Sequence, residues 1–140
     1  QNIDCIARMP CHTDTISKSG CLLTCLSMLG LRTPAEMNIF LGDSSFTENG
    51  QLYWNEAAKK LGWVYEGDRT GLSDIEIADL ICQYFVIARV RTAKEHFVVA
   101  TGHMIDPTRG TCRITIADPA SPGKRYLDEY PLLRIHLYKP

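Results

Sequence analysis

Ser19-Gly20-Cys21-Leu22-Leu23-Thr24-Cys25-Leu26-Ser27-Met28-Leu29-Gly30 is the stretch from which the rest of the chain is best read. It is apolar on nearly every side, which marks a helix enclosed by protein rather than one with a wet face. The pattern predicts a buried central helix that begins at Cys21 and stops at Gly30, glycine being the favoured residue just past a helix end. Upstream, residues 1–20 are polar and irregular, with Pro10 and Gly20 as punctuation.

Downstream the helical signals continue. Thr33-Pro34-Ala35-Glu36 predicts a second helix with Thr33 as N-cap, Pro34 in the first helical position and Glu36 closing a capping box. It runs to about Leu41 and ends at Gly42. Leu52 to Leu61 predicts a third helix, stopped by Gly62, with Lys59 and Lys60 at its negative end. Ser73-Asp74-Ile75-Glu76 is another capping box and predicts a fourth helix through about Tyr84.

The period then changes to that of extended chain. Strands are expected at Phe85–Val90, His96–Thr101, Arg113–Ala117 and Leu133–Tyr138, all rich in β-branched or aromatic residues. Turns at Gly102, Pro107–Gly110 and Pro119–Gly123 separate them. Helices first and an antiparallel sheet afterwards define an α+β class. At 140 residues one domain, 1–140, is the expectation.

Composition narrows the function classes. The chain is 45% hydrophobic and 22% charged, with 15 basic and 16 acidic residues well mixed and a net charge of −1. No basic stripe supports a nucleic-acid partner. No apolar run of about 18 residues is present to span a membrane, and no signal peptide is read. The chain begins at Gln1, so it reads as a processed product or a domain cut from a longer protein, and as a monomer. Six cysteines are too few for a disulfide scaffold. Cys25 and Cys82 read as buried small hydrophobes. Cys5 and Cys11 flank a short loop and could pair. A reducing workplace is the expectation. Neither Cys5 with Cys11-His12 nor Cys21 with Cys25 has the paired spacing of a structural zinc site. No cofactor motif is present, and no metal or cofactor is expected. Trp54, Trp63 and Tyr65 read as core or groove-lining residues.

The chemistry converges on Cys21. A cysteine nucleophile acts as thiolate, which a helix N-terminus and a nearby imidazole both favour. Cys21 is read at the start of its helix, and Gly20 permits a tight turn into it and a close approach by substrate backbone. The base should lie far away in sequence, and His96 opens a strand. A third group should fix the imidazole tautomer. Asp118, at the end of the next strand, fits that role, and Asp106, before Pro107, is its rival. The bland readings are a buried structural Cys21, a strand-edge His96 and a turn-starting Asp118; the three in order favour function. His12, His103 and His136 read as surface groups.

Four segments in the same order carry a family resemblance. The Cys21 helix and Thr33-Pro34-Ala35-Glu36-Met37-Asn38 resemble the nucleophile region of C39-like peptidases. His96-Phe97-Val98-Val99-Ala100-Thr101-Gly102 resembles their base strand, and Ile116-Ala117-Asp118-Pro119-Ala120-Ser121 resembles the segment supplying the third triad member. The resemblance implies a papain-like fold and cleavage of a protein or peptide substrate, with small residues such as Gly-Gly before the cut. It also implies a glutamine in the oxyanion hole. Gln1 is the only glutamine upstream of Cys21 and so the candidate, with the Cys21 backbone N–H as the second donor. Domains of this kind also occur as toxin domains of secreted bacterial proteins, delivered into a cytosol and neutralised by an immunity or inhibitor protein. Two alternatives share the fold: a Cys-dependent deamidase or acyltransferase, and a non-catalytic peptide-binding module.

Overall fold

The computed structural model describes residues 13–46, 52–93, 95–120 and 126–140; for residues 13–20 and for residue 95 it describes the backbone only. The chain divides into two compact units, one ending at Tyr65 and the other beginning at Glu66.

The first unit is helical. Helix α1 spans Thr13–Leu29, α2 Pro34–Leu41 and α3 Trp54–Leu61, with a short 3₁₀ turn at Asp43–Ser45. On α1 the side chains of Leu22, Leu23, Cys25 and Leu26 are buried, as the all-round apolar pattern requires. The helix starts eight residues before Cys21, through the polar stretch Thr13–Gly20, which carries no apolar period to mark it.

The end of α1 also differs from expectation. The left-handed residue after it is Leu31, with φ 55°, and not Gly30. A Cβ on Gly30 would lie 2.8 Å from Met37 Cε, the far end of a flexible side chain on α2, and 3.1 Å from the Leu26 carbonyl oxygen, so a side chain there would displace the Met37 methyl. The α2 capping box is as read: Thr33 Oγ1 accepts the Glu36 N–H at 3.1 Å, and Glu36 Oε1 accepts the Thr33 N–H at 3.0 Å. At its other end the Lys60 ammonium donates to the Leu41 carbonyl, placing positive charge at the negative helix end. Helix α3 stops at Gly62, which is left-handed with φ 76° and whose N–H bonds the Ala58 and Lys59 carbonyls. The Trp54 and Tyr65 rings stack at 5.4 Å.

The second unit is built on a sheet whose first strand begins in the last two residues of the first unit. Strands β1 (Val64–Arg69), β2 (Phe85–Arg91), β3 (Glu95–Asp106), β4 (Thr111–Ala117) and β5 (Leu132–Lys139) lie in the order β1-β5-β2-β3-β4. The β5-β2, β2-β3 and β3-β4 pairings are antiparallel. The four expected strands are present, and β1, which was not expected, adds an edge. Strand β3 runs on through Gly102, where a turn was expected. The register shifts there by one residue, and a Cβ on Gly102 would meet Thr115 Oγ1 at 3.3 Å. Glycine thus serves a bulge and a close strand approach rather than a turn.

Helix α4 (Asp74–Ile81) starts from the Ser73–Glu76 capping box and packs on β2, β3 and β4. Between them lie Ile77, Val86, Ala88, Val90, Val98, Ala100, Ile114, Ile135 and Leu137, with alternate residues of each strand turned to this side. Leu127, from the 3₁₀ turn Leu127–Glu129, belongs to the same cluster. The opposite parity carries Ile87, Val99, His136 and Tyr138, all buried too. His136 is therefore no surface group. Cys82 is corrected as well: α4 ends at Ile81, and Cys82 is its exposed C-cap. Cys25 is fully buried, as read. Cys82 and Cys112 are free thiols, while Cys5 and Cys11 lie outside the described residues. Among the described residues no helix is long and apolar enough to cross a membrane.

Candidate active site

His96 is the second residue of β3 and pairs with Val90 of β2. Strand alternation puts its side chain on the face of Val98 and Ala100, where it is buried. Strand β4 returns antiparallel and brings Ala117 opposite Val99, so the next residue, Asp118, arrives beside the beginning of β3. There Asp118 leaves the ladder. Its Oδ1 accepts the Ala120 N–H at 2.8 Å, a local turn that holds the side chain in one orientation.

His96 Nε2 lies 2.7 Å from the same Oδ1. The side chains are 7% and 0% exposed, so the pair is shielded from water. The other carboxylate oxygen, Oδ2, accepts the hydroxyl of Tyr130, whose ring also lies against the imidazole at 5.9 Å between centroids. Burial pushes the Asp118 carboxyl up. The donors Tyr130 O–H, Ala120 N–H and His96 together outweigh it, and the net result is a carboxyl held below its ordinary value. An ionised carboxylate only accepts, so His96 Nε2 must carry a proton and donate it. In neutral His96 the basic nitrogen is then Nδ1.

This arrangement brings together the two expected residues and separates the rival. Asp106 stands at the far end of β3, about 30 Å along the strand from His96 at ~3.3 Å per residue. Its Oδ1 accepts the N–H groups of Thr108 and Arg109 and so shapes the β3–β4 turn. His103, on the outer half of β3, is exposed.

Cys21 belongs to the first unit and is half-buried on α1. Because α1 begins at Thr13, Cys21 sits in its third turn and not at its N-terminus. Two expectations change as a result. The positive end of the helix and its unpaired N–H groups belong to the turn that begins at Thr13, so they do not act at Cys21. The α-helical pattern also commits the Cys21 N–H to the carbonyl four residues earlier, which removes it as an oxyanion donor. Gly20 lies within the helix rather than at a tight turn before it. Gln1 lies outside the described residues.

Tyr130 was missed from sequence. Nothing local marks it, since it follows a polar run, Asp128-Glu129. It reaches Asp118 because the Tyr126–Thr115 bridge and the buried Leu127 return the chain across β4. Among the described residues no group of three or more His, Cys, Asp or Glu side chains is placed to hold a metal ion. No protein-family model matches the chain, and the searches of curated proteins and of solved structures found no match either.

Proposed function

We propose that the chain is a cysteine peptidase of the C39-like, papain-fold kind, in which His96 is the base, Asp118 its orienting group and Cys21 the nucleophile. The observation that carries this reading is the water-shielded His96–Asp118 pair, with the tautomer that leaves Nδ1 basic. A histidine held this way by a carboxylate is suited to take and return a proton.

In the proposed reaction His96 Nδ1 takes the Cys21 thiol proton. The thiolate then attacks the carbonyl carbon of a peptide bond, and the π electrons move to oxygen. Collapse breaks the C–N bond while the imidazolium gives its proton to the leaving amine. The resulting thioester is opened by water, which His96 deprotonates, and the thiol is restored. The substrate class is an extended protein or peptide segment. Delivery of the domain as a bacterial toxin, with a protein inhibitor as partner, belongs to the same proposal.

One observation favours a second reading. The third-turn position of Cys21 removes the helix-end stabilisation of a thiolate, which suits a non-catalytic peptide-binding module on this fold. Limiting iodoacetamide across pH 4–9, with labelled peptides mapped by mass spectrometry, separates the two. A peptidase requires Cys21 to be the fastest thiol and His96→Ala to slow it. A silent Cys21 beside a reactive Cys82 leaves the binding module. Cleavage, a one-dalton gain or an adduct on a treated target then distinguishes peptidase, deamidase and acyltransferase, which share the thioester step.

A further inference from the structure

We propose that Tyr130 is a positioning residue for His96, acting through Asp118: its hydroxyl fixes which carboxylate oxygen faces the imidazole, and its ring shields that bond from water. The inference rests on the reading of His96 as the working base.

Among the described residues Asp118 receives three donors on two oxygens. Oδ1 takes both His96 Nε2 and the Ala120 N–H, at 2.7 and 2.8 Å. Tyr130 is the side-chain donor on Oδ2. Without that hydroxyl the carboxylate would have its charge drawn to one side by Oδ1 partners alone, while Oδ2 would sit in a fully enclosed position lacking this bond. The hydroxyl therefore has two effects. It opposes rotation of the carboxylate about its Cβ–Cγ bond, and it disperses negative charge away from Oδ1. The second effect weakens the pull of Asp118 on the His96 Nε2 proton, so the strength of the phenolic donor tunes the base.

The ring has a separate part. It lies tilted by 57° against the imidazole. The turn that carries it is held by the buried Leu127 and by the Glu129 carboxylate accepting the Tyr126 N–H at 2.9 Å. Tyr130 is thus delivered by a rigid element, as a residue that sets hydrogen-bond geometry must be.

The test reads the His96 Nε2 proton directly, by proton NMR of the full chain labelled with ¹⁵N-histidine, the signal being assigned by its loss in His96→Gln. Tyr130→Phe removes the donor and keeps the ring. Site-specific 3-fluorotyrosine at position 130 keeps the volume and strengthens the donor. The expected result is a pair of opposite shifts: downfield in Tyr130→Phe, where charge returns to Oδ1, and upfield with fluorotyrosine. Either a proton indifferent to both changes or shifts of the same sign overturns the proposal. Should Tyr130→Phe fail to fold, fluorotyrosine alone decides, since only a tuning role predicts its upfield shift. Cys21 alkylation measured on the same samples keeps the two readings apart. Opposite shifts with an inert Cys21 sink the peptidase and leave the Tyr130 role. An indifferent proton with a reactive, His96-dependent Cys21 does the reverse.

Discussion

A carboxylate enclosed by protein stays charged only when its oxygens are answered by donors. Among the described residues Asp118 has three, and its charge in turn sets the His96 tautomer. Under the proposed function, Asp118→Asn should therefore leave the fold in place and lower the rate of peptide hydrolysis by about 10³–10⁴-fold, since an amide can orient the wrong tautomer. Rate against melting temperature checks this. The same residue carries a pH dependence. Its folded value lies below its unfolded one, so its contribution to stability is complete above the ordinary carboxylate range and is lost as pH falls through the depressed folded value. His136 behaves differently. Burial, reinforced by the cations of Arg89 and Arg134 against the opposing Asp68, lowers it from 6.5 to about 4. Between those values the unfolded chain binds a proton that the folded chain refuses, so stability must fall as pH drops through that window. Melting temperatures from pH 7.5 to 4.5 should show the decline, and His136→Gln should flatten it. The candidacy of His96 and Asp118 was legible in residue types and strand order, with Asp106 as rival; the burial of His136 was not, because β5 carries charged Arg134 two residues before it.

Elements were most legible where their signals were chemical rather than statistical. The boxes Thr33–Glu36 and Ser73–Glu76 are each closed by two reciprocal hydrogen bonds that sequence spacing alone specifies. Ser73→Ala should lower stability by about 1 kcal/mol in denaturant melts, by removing the acceptor for the Glu76 N–H. Gly62→Ala is a cleaner case. Nothing lies within 4 Å of a Cβ built there, so the loss, about 1–2 kcal/mol, is left-handed backbone strain alone. Strand β1 was illegible for a physical reason. Val64-Tyr65-Glu66-Gly67-Asp68-Arg69 contains a left-handed glycine and charged residues that do not favour strand. Pairing to β5 and the Asp68–Arg134 ion pair make it one.

At the scale of the whole molecule, the second unit has a core that a single truncation should test. Ile135 is 1% exposed within the α4–sheet cluster, and Ile135→Ala should cost about 2–5 kcal/mol, read as a lower denaturant midpoint with an unchanged slope. The sequence by itself determined the α+β class, the two capping boxes, four of the five strands and the residues able to act as acid, base and thiol. Those properties follow from local spacing and side-chain chemistry, which the linear order carries. Only the tertiary structure decided the sheet order, the choice of Asp118 over Asp106, the arrival of Tyr130 and the extension of α1 past Cys21. The first three are contacts between segments far apart in the chain, and the last runs through a polar stretch without apolar period, so none leaves a mark in the local pattern.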